Sequence, residues 1–272
     1  MPYSLAEILS VTERLWPMSG AEGWDAAGLL SGDPSRQVSS VYLAVDAVPE
    51  VADEAVENGA DLLIVHHPLL LRGVTSIAEN RFTGAVLARL IRGDCALVSA
   101  HTNADVVETG TSAELAYRLG LVEALPIVAG ASPHRGIGRV GRLAEPTTLG
   151  RLARHLGEIL PPTATGIRVS GEYDRPITTV AVCGGAGDSL LAEPAVLGAD
   201  VYVTSDLRFH PASAFREDAK LVGGPALIDI SHWASEWLWL ATAADELRAA
   251  LPELTITVSD LRTDPWDFAV VQ

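Results

Sequence analysis

The sequence predicts an α/β protein with mostly parallel sheets, and three observations carry the prediction. Short β-branched runs alternate with helical patterns along the chain. The runs are continuously apolar, as strands are when helices cover both faces of a sheet. Polar, chemically capable residues recur just past the carboxyl end of successive runs, the rim where ligands bind in open α/β sheets.

The first element is an amphipathic helix in MPYSLAEILSVTERLW, with Ser4 and Glu7 spaced as a capping box and Leu5, Ile8, Leu9, Leu15 and Trp16 on its core face. It has no basic stretch leading into an unbroken apolar one, so it does not read as a signal peptide. Strands are expected at 41–46, 61–66 and 95–100. PEVADEAVENG joins the first two as a helix, Pro49 near its start and Gly59 just past its end, which makes a βαβ unit. Helices follow at 83–92 and 112–119, the second opened by Thr111 with Glu114 three residues on.

Residues 121–136, aperiodic and holding two prolines, mark the expected boundary between an N-terminal lobe, 1–125, and a second lobe, 126–272. Beyond it come a strand in RVGRL, a helix in TLGRLARHLGEIL and a strand in GIRVSG. Further strands are expected at 177–183, 199–204, 226–230 and 254–259, with a helix from His232 to about residue 250.

Composition bounds the partners. A formal net charge of −16 opposes non-specific binding to nucleic acid or anionic membranes, which needs clustered Lys and Arg. No apolar stretch approaches the length of a membrane span, so a soluble, cytoplasmic protein is expected. Cys95 and Cys183 lie in apolar runs and read as buried thiols; no CxxC motif is present.

The strand-end residues carry the chemistry. His66 and His67 close the run ADLLIVHH, just before Pro68. Neighbouring strand residues point to opposite faces, so both imidazoles serve adjacent ligand positions only where the strand ends. His232 and Glu236 open a helix at i,i+4 spacing, which puts imidazole and carboxylate on one face. His101 ends another strand and Asp105 follows it by four, with Thr102 and Asn103 between to fix orientation. His66, His67, Asp105, His232 and Glu236 make three imidazoles and two carboxylates, too many for one tetrahedral structural zinc. They suit two divalent ions about 3.5–4 Å apart. Nitrogen and oxygen donors without thiolate favour Zn, Mn or Fe. Three of these ligands fall in the N-terminal lobe, and the C-terminal part of the second lobe returns to complete the site.

Other motifs are secondary. Asp206 and His210 make a candidate general acid/base or supporting pair, with His210 the candidate proton shuttle. Gly184, Gly185 and Gly187 follow a strand and precede a helix expected near Asp188, so their amides can cradle an anionic cofactor or substrate, or simply make a packing turn. The GxGxxG match at 136–141 enters a strand instead of opening a helix, the wrong context for a dinucleotide. Trp233, Trp237 and Trp239 read as packing. Trp24-Asp25 reads as a cleft-wall or supporting element and Asp46 as a structural cap.

At Trp24–Leu30, His66–Leu69, Ser99–Asp105 and Ser231–Glu236, in that order, the chain resembles the Nif-three-like family, whose members are often labelled GTP cyclohydrolase type-two homologues. Gly138–Gly141, Val182–Gly187, Asp206 with His210 and Thr263–Trp266 extend the likeness nearly end to end. The resemblance implies two intertwined α/β lobes, a dinuclear metal site in a cleft at the strand carboxyl ends and often a ring-shaped homohexamer. It maps the metal ligands onto His66, His67, Asp105, His232 and Glu236, the glutamate bridging. It also implies a metal-dependent hydrolase acting on a small molecule, a nucleotide by the family label, with Glu236 catalytic. A two-metal phosphoesterase on a small anionic metabolite, or a non-catalytic metal-binding regulatory oligomer, are the alternatives. Two positions depart from the family pattern: Ala26 stands where Asn is common, and Ser205 where Gly often precedes the aspartate.

Overall fold

A computed structural model describes residues 2–270. The chain forms two compact units, one from residues 1–104 and 240–263, the other from 105–239 and 264–272. The α/β class and the mostly parallel sheets match the sequence prediction.

The first unit holds a five-stranded sheet in the order Thr255–Val258, Ser40–Ala44, Leu62–Val65, Ala96–Ser99, Gly28–Ser31. The first four run parallel and Gly28–Ser31 closes the edge antiparallel. Tyr42, Ala44, Leu63, Val65 and Leu97 point to one face, where Val51, Ala52 and Ala55 of helix Pro49–Glu57 and Val86 and Leu90 of helix Phe82–Arg92 cover them. Val41, Leu43, Leu62, Ile64 and Val98 point to the other and are equally buried. Two buried faces are why these strands read as unbroken apolar runs. Truncating one such core leucine to alanine costs about 2–5 kcal/mol. Helix Leu5–Leu15 starts with the expected capping box, and Leu5, Ile8 and Trp16 are buried. The Trp16 indole donates to Glu246 of helix Trp239–Ala250.

The second unit holds a six-stranded sheet: Arg168–Ser170, Ala226–Ile230, Val201–Ser205, Pro176–Ala186, Arg139–Thr148, Leu121–Leu125. Its three consecutive strands Ala226–Ile230, Val201–Ser205 and Pro176–Ala186 are parallel, and the flanking strands are antiparallel. Ala181, Cys183, Tyr202 and Leu227 pack with Leu190, Leu191, Val196 and Phe215.

The division falls between Ala104 and Asp105 and not near residue 125. The cause is Leu121–Leu125, which pairs with Arg139–Thr148 and so belongs to the second sheet. Asp105 therefore lies in the second unit, leaving two of the five expected ligands in the first. The segment Leu240–Thr263 returns to the first unit, where Thr255–Val258 adds an edge strand. Among the described residues no helix is long and apolar enough to cross a membrane.

Candidate metal centre

In the first unit, register builds the site. Ala44 pairs with Val65 and Val65 with Ser99, so the residues just beyond three adjacent parallel strands stand at one level. These are Asp46, the pair His66 and His67, and His101. The ladder continues into them: His66 N donates to Ala44 O, His67 N to Val45 O, and Ala100 N to Val65 O.

Each imidazole has its Nδ1 held. His66, fully buried, sits 2.8 Å by Nδ1 from Ala100 O. His67 Nδ1 lies 2.7 Å from Asp46 Oδ1, and the other oxygen of Asp46 accepts from the Thr263 hydroxyl. His101 Nδ1 lies 2.8 Å from Asp25 Oδ1. The Asp25 side chain is buried and also accepts from Ala26 N, Thr102 N and the Thr102 hydroxyl. Burial pushes the Asp25 carboxyl up, but the bonds from Thr102 and His101 outweigh it and hold the group below its ordinary value. Carbonyl and carboxylate oxygens only accept, so Nδ1 carries the hydrogen. Metal-binding histidines are supported in this way. One ligand atom from each of His66, His67 and His101 lies within 4.8 Å of the others.

The second unit repeats the plan. Ala186 pairs with Ser205 and Ser205 with Ile230, which levels Gly187, Asp206 and Ser231-His232 at three parallel strand ends. Ser231 caps helix His232–Trp237, accepting from Ala234 N while donating to Asp264. The helix sets His232 Nε2 2.9 Å from Glu236 Oε1, and Nδ1 lies 2.7 Å from Asp206 Oδ2. Asp206 holds this position in the left-handed region, at φ 56°, a strained conformation for a residue with a Cβ. Burial opposes charge on His232, yet the Glu236 and Asp206 carboxylates prevail and push its pKa up to about 11. A lone imidazole between two carboxylates, one of them on the buried Glu236, is a locus that demands positive charge.

Gly185 makes room for this pair. A Cβ there would lie 2.5 Å from Glu236 Oε1 and 3.3 Å from His232 Nε2, and its φ of +69° suits glycine. Asp105 accepts from the Thr111 hydroxyl at 2.5 Å. The Cys183 thiol is pushed up to about 12 by burial first, then by the charge of Asp105 and, with smaller weight, of Glu236, so it stays protonated and inert. Nitrogen and oxygen donors oriented from behind, with a glycine cradle kept clear beside the carboxylate, fit a divalent cation.

The remaining motifs resolve as follows. Asp46 is no mere cap: it holds His67. Asp206 is engaged by His232, and His210 stands exposed on helix Phe209–Val222 with its ring edge-on to Phe209. The glycine run does not form an anion cradle ahead of a helix. Its strand continues to Ala186, Gly184 N donates to Ser112 and Gly185 N to Ser235, and a 3-10 turn follows at Asp188–Leu190. In the GxGxxG segment the buried Arg139 guanidinium donates to the carbonyls of Gly136, Gly138 and Val107, a purely internal use. Trp233 and Trp239 are buried, as expected of packing residues. Sequence reasoning left His101 out of the expected ligand set, and the structure groups one of its ligand atoms with those of His66 and His67.

A family model described as Duf34/NIF3 (NGG1p interacting factor 3) matches residues 3–265. A Streptomyces coelicolor protein named GTP cyclohydrolase 1 type 2 homolog is 45% identical over 269 residues, 96% of this chain and 93% of that one. A Clostridium perfringens protein of the same name is 32% identical across 97% of this chain and 99% of its own. Among solved structures, a Staphylococcus aureus hypothetical protein is 28% identical, with a TM-score of 0.86 over 99% of this chain and 100% of its own. A Bacillus cereus protein related to NIF3, 24% identical with a TM-score of 0.86 over 99% of this chain and 100% of its own, shares the fold.

Proposed function

The chain belongs to the Duf34/NIF3 family, and on that premise we propose that it is a metal-dependent hydrolase using two divalent ions held by His66, His67, Asp105, His232 and Glu236. One observation carries the reading. His66, His67 and His232 each have Nδ1 fixed by an oxygen acceptor, which turns Nε2 toward ligand duty. When bound, such ions supply Lewis acidity and a potent nucleophile at neutral pH. The protein's own contribution is geometric and electrostatic. Asp46 and Asp206 set the rings of His67 and His232, Thr111 sets Asp105, and the buried Glu236 would supply anionic charge to the bound ions.

The name shared by the relatives points to hydrolytic opening of a guanine nucleotide ring. We assign the substrate to the small molecules with an electrophilic carbon or phosphorus, GTP being the first to test. A homohexamer is the expected assembly, and the exposed Phe209, Leu221 and Val222 offer apolar surface for it to cover.

The test is turnover of GTP, other nucleotides and small phosphoesters by metal-loaded protein, beside Glu236→Ala in the same oligomeric state. Hydrolysis of one class, abolished in the variant, is the expected result. A metal-loaded oligomer that turns over none of them, and falls apart when the metal is removed, would instead mark a regulatory assembly.

A further inference from the structure

We propose that the cleft between strand Arg168–Ser170 and helix Phe209–Val222 binds a small phosphorylated molecule with a flat apolar ring, the chemistry of a nucleoside diphosphate. The cleft lies wholly in the second unit, and the inference is independent of the metal reading above.

Arg168–Ser170 is the outer strand of the six-stranded sheet, and two cavities open between it and the helix. One, of about 370 Å³, has an apolar lining from Val169, Leu207, Ala212 and Leu227, with Phe209 in its wall. The other, of about 600 Å³, is lined by Arg175, Arg216 and Lys220 beside Gly171 and Gly223. Ser170, Arg216 and Leu227 line both, so the two are neighbours along one cleft. Both volumes fall in the range of small-molecule sites. Charge is the second observation. The chain carries a formal net charge of −16 and a single lysine, Lys220, yet the cleft gathers that lysine with Arg168, Arg175 and Arg216. Against them stand Asp229, Glu172 and Glu217. Asp229 is buried and pairs with Arg168. Glu217 takes Arg216 at 3.1 Å and Lys220 at 2.8 Å, all three side chains half exposed. Such exposed pairs are weak, and a phosphate, which accepts from several cations at once, displaces them. Arg175 gives one N–H to Gly224 O and keeps others for a ligand. A solvated helix face needs no apolar cavity beside its cations, and a packing defect needs no cations. A ring in the apolar cavity with phosphates against Arg175, Arg216 and Lys220 accounts for both halves of the cleft.

The experiment uses the full chain in its native oligomer, stripped with chelator so that no metal ion contributes. Binding of ADP and GDP is read by calorimetry at low salt, beside adenosine, guanosine and pyrophosphate. Because Lys220 is the one lysine, its acylation by an amine reagent, followed by mass spectrometry, reports on the cleft itself. We expect at least one of the diphosphates to bind, and its nucleoside and pyrophosphate to bind at least about tenfold more weakly. Saturating diphosphate should slow Lys220 acylation at least about tenfold, and the nucleoside at the same concentration should not. Arg216→Gln should keep its fold by circular dichroism and lose at least about tenfold in affinity, with Lys220→Gln as the second variant should the first not fold. Arg89→Gln, on helix Phe82–Arg92 of the first unit, should bind as wild type does. The proposal is overturned if neither diphosphate binds, if Lys220 reacts as fast with ligand as without, or if the folded cleft variant binds as wild type does. Each of those results leaves the metal centre standing, and a protein that takes up no metal leaves this cleft standing.

Discussion

The first unit ends strands Leu62–Val65 and Ala96–Ser99 in imidazoles, with Asp46 behind one of them at the end of Ser40–Ala44; the second ends Pro176–Ala186, Val201–Ser205 and Ala226–Ile230 in one imidazole between two carboxylates. Parallel register does the same work in both, placing strand-end residues side by side. The electrostatics differ. The histidines of the first unit are rings aimed by acceptors behind them, so orientation is what that region contributes. The second is anionic around His232, so charge is what it contributes. The two contributions can be perturbed separately.

The largest effect should come from removing charge in the second unit. Glu236→Gln keeps the shape and deletes the anion, and should lower metal affinity by at least about 100-fold while the first unit's histidines keep their arrangement. Calorimetric titration reads the affinity, and imidazole NMR signals read the arrangement. Metal binding near the wild-type level would refute the contribution assigned to charge.

Gly185→Ala attacks the same carboxylate by volume instead. Its Cβ would meet Glu236 Oε1 at 2.5 Å from a left-handed backbone. We expect about 1–3 kcal/mol of destabilisation together with weakened metal uptake, measured by denaturant unfolding and metal analysis. Unchanged stability would mean that the close approach is unimportant.

The orientation half is tested by Asp46→Asn, paired with Asp206→Asn as its counterpart in the second unit. Each should cost about 10–100-fold in affinity. Both delete one carboxylate charge, and Asp206→Asn should cost more because Asp206 and Glu236 flank a single imidazole. Equal losses would erase the distinction between the two regions.

A smaller effect separates ordinary acidity from the site. Asp61, in the first unit but away from the histidines, accepts from Ser39 N, the Ser39 hydroxyl and Ser40 N. Burial raises its carboxyl, yet these bonds and Arg36 hold it below its ordinary value. A depressed carboxyl stabilises the fold above its unfolded pKa, about 3.9, and loses that contribution as pH falls through the lower folded value. Unfolding midpoints should therefore drop below about pH 4 in wild type and less steeply in Asp61→Asn. Metal affinity should be the same in both near neutrality. A parallel acid limb in the variant would contradict the assignment.

Much of this was legible in the chain because its signals are local. Leu62–Val65 reads as a strand from unbroken apolar residues, Ser4 and Glu7 read as a cap from their spacing, and His232 and Glu236 share a helix face by periodicity. What was not legible depends on distance along the chain. Asp25 and His101 are 76 residues apart, and Asp46 and His67 are 21, so only the folded register shows which aspartate backs which ring. Leu121–Leu125 read as part of an aperiodic stretch because its partner strand, Arg139–Thr148, supplies the pairing that makes it a strand. Gly184 and Gly185 read in sequence as either a packing turn or an anion cradle, and only the fold shows that Ser112 and Ser235 take their amides.

The most direct measurement is anomalous diffraction from crystals of protein loaded with a single defined metal, with elemental analysis of the same preparation. Two peaks about 3.5–4 Å apart, bonded by His66, His67, Asp105, His232 and Glu236, are the predicted result. Fully loaded protein with no peak at these side chains would contradict the account.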